Sequence, residues 1–129
     1  RMASNEQAND LQQISETVAW YFNGMYRSDG DLLRKAFFDN AMITGHTDGR
    51  FTEMDLDTFV EFAASQDSAQ AAGEPFDMRI VALDVTGNAA TVKVADHYIG
   101  RDFIDYLALL KKDGQWRIYN KLWHSGPLP

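Results

Sequence analysis

The amino-acid sequence predicts an α+β fold in which N-terminal helices pack on one concave face of a curved, mixed or antiparallel sheet. Apolar residues recur at three- and four-residue steps over residues 10–27, which is typical of an amphipathic helix. From residue 76 onwards, four strand-like runs are separated by short glycine-containing turns, which indicates a meander. Because the helices come first and the strands follow, the pattern favours α+β over an alternating α/β fold.

The first predicted helix begins at Asp10, whose side chain is suited to cap an N-terminus. Residues 1–9 are predicted to be disordered or derived from a tag. Residues 10–129 are predicted to form one domain, since a chain of 129 residues can bury a sufficient core without disulfides. Gly30 and Asp31 end the first helix and begin a second one. The predicted buried stripe of the first helix consists of Leu11, Ile14, Val18, Phe22 and Met25.

A short hairpin and a third helix are predicted between these helices and the meander. Residues 41–45 and 50–52 form the hairpin strands, with Asp48-Gly49 as their turn. Thr52 is predicted to cap the third helix, whose apolar stripe extends to about residue 64. Residues 65–74 are small and polar, which predicts a loop before the meander.

The four meander strands are predicted at residues 76–85, 89–99, 103–111 and 116–124. Asp113-Gly114 is the strongest turn signal, because a two-residue type I′ turn needs positive φ at both central positions. Regular pairing outward from this turn places Asp105 and Asn120 on an apolar inward face. The opposite face is aromatic enough to predict the interface of a homodimer. The predicted interface residues are Tyr106, Tyr119, Lys121 and Trp123.

Composition excludes several classes of function. A net charge of −7 argues against nucleic acid and anionic membranes as partners, because both require clustered Lys and Arg. The absence of cysteine excludes thiol catalysis, disulfides and thiolate metal sites, and three scattered histidines do not predict a metal site. No cofactor is expected. Without a signal-peptide pattern or an apolar stretch that could span a bilayer, a cytoplasmic location is expected.

Two segments carry a resemblance to a known family. They are YFNGMYRSDGDLLRKAF at residues 21–37 and FIDYLALLKKDGQWRIYNK at residues 103–121. With this order of elements, residues 10–124 resemble the nuclear transport factor 2-like superfamily, and within it the SnoaL-like or putative lumazine-binding group. The resemblance implies a cone-shaped α+β barrel whose open end forms a pocket, with dimerisation through the outer sheet face. It also implies two alternatives, since the superfamily contains both enzymes and binding domains.

The first alternative is a small-molecule-binding protein with an apolar, aromatic-lined pocket for a small organic ligand. The second is a cofactor-independent isomerase, dehydratase or cyclase of the ketosteroid-isomerase or SnoaL type that uses acid–base residues in the pocket. A domain that only dimerises or docks to another protein is a third. The predicted ligand-binding residues are Trp20, Tyr21, Tyr98, Phe103 and Asn120.

Three residues are candidates for catalysis. An inward carboxylate at Asp105 is expected to be desolvated, with a raised pKa, and simple pairing across the Gly100-Arg101 turn places Asp96 opposite it, where the two could share a proton. The alternative is that Asp105 accepts hydrogen bonds from Asn120 or a tyrosine hydroxyl and only orders the cone, while Asp96 lies at a bulge and faces water. In the steroid-isomerase branch of the superfamily an aspartate at a similar place stays protonated. His46 lies near the place of that branch's general base, or is simply a turn residue.

Overall fold

The computed structural model describes residues 2–128, in which three helices pack against a six-stranded mixed sheet. The helices are α1 (Met2–Tyr26), α2 (Gly30–Ala36) and α3 (Leu56–Ser65). The strands are β1 (Phe37–Thr47), β2 (Arg50–Asp55), β3 (Met78–Thr86), β4 (Ala89–Tyr98), β5 (Arg101–Lys112) and β6 (Gln115–Ser125). The predicted α+β class is confirmed. None of the helices in this range is long and apolar enough to cross a membrane.

The sheet is curved and open. Its strand order is β2-β1-β6-β5-β4-β3, with β1 and β6 parallel and all other neighbours antiparallel. Irregular pairing interrupts β1 between Phe37 and Met42 and β3 between Ile80 and Ala82. Because a bulge bends its strand and increases the local twist, these irregularities help the sheet to curl around the helices.

Helix α1 lies across the concave face and supplies much of the core. Ile14, Val18 and Tyr21 are fully buried, whereas Leu11, which was predicted in the same stripe, is 42% exposed. The helix begins at Met2 rather than at Asp10. Asp10 therefore lies inside the helix, in register with Ile14 and Val18, and its carboxylate faces the sheet instead of capping the N-terminus.

The hairpin and the third helix differ from their prediction in one respect. Strand β2 continues to Asp55, so Thr52 is a strand residue and the helix starts later. The N-cap of α3 is Asp55, whose Oδ1 accepts a hydrogen bond of 2.9 Å from the backbone N–H of Thr58. This shift turns Thr52 into a residue of the concave side of the hairpin.

The β5–β6 pairing corrects the predicted faces of β6. Lys112 pairs with Gln115 as predicted, but the register shifts between Ala108 and Leu109. Beyond this bulge Asp105 pairs with Trp123, where regular pairing predicted Leu122. Since a shift of one residue moves side chains to the other face of a strand, the predicted faces of β6 are exchanged beyond the bulge.

The exchange makes the predicted orientations of three residues wrong. Lys121 is 6% exposed and lies on the concave side, as does the half-buried Trp123, so neither belongs to the outer face. Asn120 lies outward, beside Ala108 and the exposed Met42. Tyr106 and Tyr119 are on the outer face, 50% and 40% exposed.

Candidate functional site

A cavity of about 390 Å³ opens on the concave side of the sheet between the β1–β2 hairpin, α3 and the β4–β5 turn. Its walls are largely apolar and aromatic, and include Ile43, Met54, Phe59, Phe103 and Trp123. Asp96, Tyr98 and Lys121 are the buried polar residues of the lining, and they mark its inner end. The mouth is formed by exposed side chains, among them Arg50, Phe62 and Ile99.

Two buried carboxyl groups, the Asp96–Asp105 pair, lie at this inner end. Asp96 is 5% exposed and lines the cavity, whereas Asp105 is fully buried behind it. The predicted register is wrong in detail, because Asp96 pairs with Phe103 and Asp105 with Val94. The two carboxyls are diagonal neighbours on the inward face of β4 and β5, which still brings them together.

The phenol of Tyr21 holds Asp105. Its hydroxyl donates a 2.6 Å hydrogen bond to Asp105 Oδ2, so the inward position predicted for Tyr21 from the edge of the α1 stripe is correct. Burial, followed by the charge of Asp105, raises the pKa of the Tyr21 hydroxyl well above its usual value. Tyr21 therefore remains a donor at any physiological pH.

Asp96 is the member of the pair whose pKa is raised. Burial raises the pKa of Asp96 to about 9, with further increases from the charge of Asp105 and from a hydrogen bond between the two carboxyls, which only a protonated carboxyl can donate. Among residues 2–128, Asp96 Oδ1 and Asp105 Oδ1 are buried without a hydrogen-bond partner. Burial therefore favours the neutral form of the Asp96 carboxyl at pH 7.

Lys121 supplies the positive charge of the inner end. Its Nζ lies 4.4 Å from the ring centre of Phe59, 5.0 Å from that of Tyr21 and 5.7 Å from that of Trp123. Three rings around an ammonium stabilise the charged form by cation–π attraction. The same charge acts on Asp96 by lowering its pKa, in opposition to burial. Within residues 2–128, Lys121 Nζ makes no hydrogen bond or ion pair with the protein.

Gly45 allows Trp123 to take its place among the three rings around Lys121 Nζ. It is the parallel partner of Trp123, and a Cβ at this position would overlap both the indole ring and the carbonyl group of Trp123. Trp123 is oriented further by its Nε1, which donates a 3.0 Å hydrogen bond to Thr47 Oγ1. A glycine in the middle of a strand, where backbone and side chain approach closely, was the sequence signal for this contact.

Tyr98 is the remaining polar group of the inner end. It is 8% exposed, and its hydroxyl has no hydrogen-bond partner among residues 2–128. Burial and the neighbouring Asp96 raise the pKa of this hydroxyl. Tyr98 and Phe103, both predicted to bind a ligand, line the cavity side by side with their ring centres 6.4 Å apart.

The other predicted site residues lie elsewhere. His46 is exposed on the outer face, where its ring lies 5.3 Å from that of Phe51, so it does not reach the cavity. Trp20 lies outside the cavity, with Lys35 Nζ 4.3 Å from its ring centre. Asn120 also lies outside it. Sequence reasoning missed the cavity positions of Lys121 and Arg50, and no group of three His, Asp or Glu residues in the described chain could hold a metal ion.

Comparisons with known proteins agree with this architecture. The chain is similar to an NTF2-like protein of unknown function from Silicibacter pomeroyi DSS-3, with a TM-score of 0.84 and 26% identity over 93% of this chain and 98% of that one. An NTF2-like protein of unknown function from Shewanella baltica OS155 has a TM-score of 0.80 and 24% identity over 94% and 97% of the two chains. Aldolase FrzH from a Cladobotryum species is 22% identical over 126 residues, which are 98% of this chain and 99% of that protein.

The helices on an open curved sheet thus define an NTF2-like α+β protein. Within this superfamily, residues 9–124 match the family described as putative lumazine-binding. The chain belongs to that family, and the resemblance noted in its sequence is confirmed.

Proposed function

We propose that the cavity binds a small organic carbonyl compound and that the protein catalyses a cofactor-independent acid–base reaction on it. The observation that carries this proposal is the buried Asp96, which faces the cavity as a neutral acid and is held against Asp105. A protonated carboxyl in an apolar cavity is a strong hydrogen-bond donor to a carbonyl oxygen. Ligand binding is also supported by the description of the family.

The inner end suits a reaction that passes through an enolate. The proton next to the carbonyl is transferred to a base from solvent at the open mouth, since the described lining holds no histidine and no acid other than Asp96. As negative charge develops on the carbonyl oxygen, Asp96 donates to it and the Lys121 ammonium attracts it, in a site from which apolar walls exclude most water. Asp105 and Tyr21 act through Asp96 by fixing its carboxyl group. Isomerisation, dehydration, cyclisation and aldol cleavage can all proceed through an enolate, and the likeness to a protein named aldolase agrees with this set.

Lys121 is proposed as an electrostatic group and not as a nucleophile. An amine attacks a carbonyl only in its neutral form. The rings of Tyr21, Phe59 and Trp123 surround Nζ, an arrangement that holds an ammonium by cation–π attraction. We therefore expect that borohydride treatment in the presence of an aldehyde ligand will leave no adduct on Lys121.

A binding protein without turnover is the second candidate, and the family description together with the apolar lining favours it. Flat heteroaromatic carbonyl compounds such as lumazines would use the same Asp96 donor. The two candidates differ only in whether a bound ligand exchanges the protons next to its carbonyl group.

The test begins with thermal shift measurements against lumazines, flavins, steroids and aromatic polyketides. The protein is compared with Asp96→Asn and with Asp84→Asn, which removes an exposed carboxylate on β3 as a control. Ligands that stabilise the protein are then incubated in D₂O, and deuterium incorporation next to the carbonyl is followed by NMR. We expect Asp96→Asn to slow this exchange about 100-fold, and Asp84→Asn to leave it unchanged.

Exchange that is equally fast in Asp96→Asn would refute the acid role of Asp96. Ligand binding without any exchange would select the binding protein. Failure of every compound to raise the melting temperature, with a folded protein, would refute both candidates for these ligand classes.

We also propose that the outer face of the sheet forms a homodimer, with the interface residues corrected for the bulge. Tyr106 and Tyr119 remain in the proposed interface, and Leu122, which is 51% exposed, replaces Lys121 and Trp123. A row of exposed apolar side chains on one sheet face is typical of a contact surface. We expect Leu122→Glu to be monomeric in sedimentation velocity at micromolar concentration, whereas the control Val81→Glu on β3 stays dimeric. A dimeric Leu122→Glu protein would exclude this interface.

A further inference from the structure

The charges around the cavity suggest the class of ligand that it accepts. The chain has a net charge of −7, yet three of the residues that line the cavity are the cations Arg50, Arg101 and Lys121. Among the described residues of the lining, Asp96 is the only acid, and burial raises its pKa to about 9, which favours its neutral form. The charge of the cavity lining is therefore positive, whereas the molecule as a whole is negatively charged.

The three cations are not equally available to a ligand. Arg101 is engaged by the protein, since its guanidinium donates to Asp48 Oδ2 at 2.7 Å and to Ser125 Oγ at 3.2 Å. Lys121 lies at the inner end, beside the Asp96–Asp105 pair. The guanidinium of Arg50 makes no ion pair or side-chain hydrogen bond within residues 2–128, and it lies at the mouth, in the first residue of β2.

From these positions we infer that the ligand is an aromatic monoanion whose anionic group binds Arg50 at the mouth and whose carbonyl group lies at the inner end. This inference rests on the proposed function, because it assigns the second end of the same ligand. A guanidinium presents a planar set of donors that matches a carboxylate in a bidentate arrangement.

The apolar lining between the two ends determines the body of the ligand. Ile43, Phe59 and Phe103 line the same cavity as Arg50 and offer no hydrogen-bond partner from their side chains. A flat aromatic or polycyclic body buries its surface there, while the two polar ends remain paired. A ligand with a second negative charge in its middle would lose solvation without gaining a partner.

The experiment uses two fluorescent dyes that differ in one group. 8-Anilinonaphthalene-1-sulfonate carries a sulfonate on an aromatic body, and N-phenyl-1-naphthylamine is the same body without the sulfonate. Dissociation constants for both are measured by fluorescence titration with the parent protein, with Arg50→Gln and with Lys112→Gln. The last variant removes the same charge at the exposed end of β5, away from the cavity.

We expect Arg50→Gln to weaken binding of the sulfonate about fivefold and to leave binding of the uncharged dye unchanged. Lys112→Gln should affect neither. A fourth protein, Met54→Trp, fills part of the cavity and should weaken both dyes. Naphthalene-1-carboxylate should displace the sulfonate at lower concentration than naphthalene-1-carboxamide does, and Arg50→Gln should abolish this difference.

The outcomes separate the inference from the function on which it rests. If both dyes respond to Met54→Trp but Arg50→Gln weakens them equally or not at all, the inference is wrong and the binding cavity stands. If Lys112→Gln weakens the sulfonate as much as Arg50→Gln does, the effect is one of net charge and the inference is also wrong. If neither dye responds to Met54→Trp, the cavity does not bind aromatic ligands of this size, and both the inference and the proposed function fail for them.

Discussion

Two regions of the molecule bury carboxyl groups between helix α1 and the sheet, and they do so in opposite ways. In the Asp10 cluster, one carboxylate oxygen accepts hydrogen bonds from Trp116 Nε1 at 3.0 Å and from Lys111 Nζ at 2.9 Å. The hydrogen bond from Trp116, followed by that from Lys111, lowers the pKa of Asp10. In the Asp96–Asp105 pair, burial dominates and raises the pKa of Asp96.

The difference separates a structural carboxylate from one that is available for chemistry. The Asp10 cluster joins α1 to the β5–β6 hairpin, and none of its residues lines the cavity on the concave side. In the Asp96–Asp105 pair, Asp96 Oδ1 and Asp105 Oδ1 are buried without a hydrogen-bond partner among residues 2–128, and Asp96 faces that cavity. Carboxyl groups with shifted pKa values occur both in structural clusters and in functional sites. The hydrogen-bond partners of the carboxyl group distinguish the two.

The largest expected effect comes from removing the lysine of each region. Lys121→Met leaves the charge of the Asp96–Asp105 pair without its buried counter-charge, and we expect a loss of about 3 kcal/mol in the free energy of unfolding. Lys111→Met removes an ion pair whose lysine is 23% exposed, so solvent compensates and the loss is about 1 kcal/mol. Urea denaturation at pH 7 measures both. Equal losses would mean that Lys121 does not balance a buried charge.

Replacing each acid by its amide should change stability in opposite directions. Asp10→Asn removes the charge that two donors stabilise, and we expect a loss of about 1–2 kcal/mol at pH 8. Asp96→Asn replaces a carboxyl that must be protonated in the fold by a neutral group of the same shape, so the folded protein should gain stability at pH 8. If Asp96→Asn is also destabilising at pH 8, Asp96 is not the protonated member of the pair.

The dependence of stability on pH should distinguish the same two acids. The pKa of Asp96 is about 9 in the fold, whereas an ordinary aspartate has a pKa of 3.8, so the folded state holds more protons between these values. The contribution of Asp96 to the free energy of unfolding is therefore complete below about pH 4. It falls as the pH rises towards 9, by on the order of 1 kcal/mol per pH unit. Asp10, whose pKa is lowered, contributes above its usual value and loses its contribution only as the pH falls below about 4.

Denaturation series from pH 3 to pH 10 on the parent, Asp10→Asn and Asp96→Asn test this. Asp96→Asn should flatten the slope between pH 5 and 9, and Asp10→Asn should flatten the acid limb. A parent slope that survives in Asp96→Asn would assign the titration to another group.

Much of the fold could be predicted because its signals are local. The Asp113-Gly114 turn fixed the start of the last hairpin, and the Lys112–Gln115 pairing followed from it. The bulge between Ala108 and Leu109 gives no such signal, since an extra residue in a strand requires neither Gly nor a polar residue. Its consequence is non-local, because it turned Lys121 from a predicted interface residue into the cation of the site.

The candidate site could be predicted only where it depends on local signals. Alternation along β4 and β5 was enough to place Asp96 and Asp105 on one face, even with the register slightly wrong. Which of the two holds the proton depends on burial and on neighbouring charges, and these are properties of the folded molecule. His46 was placed by analogy with a strand end, and alternation on β1 in fact directs it outward.

The smallest expected effect compares one hydroxyl from each region of α1. Tyr21 donates a 2.6 Å hydrogen bond to the Asp105 carboxylate, and Thr17 donates a 2.8 Å hydrogen bond to the backbone oxygen of Trp116. Because a charged acceptor strengthens a hydrogen bond, we expect Tyr21→Phe to cost about 1.5 kcal/mol and Thr17→Val about 0.5–1 kcal/mol at pH 7.

The ligand distinguishes the two changes better than stability does. Without the Tyr21 donor, the Asp105 carboxyl is no longer held in place, so the Asp96 carboxyl beside it is less well positioned to donate to a carbonyl oxygen. Tyr21→Phe should therefore weaken carbonyl ligands severalfold in fluorescence or calorimetric titration, and Thr17→Val should leave their affinity unchanged. Equal affinities in both variants would place Tyr21 with Asp10 among the residues that only hold the fold.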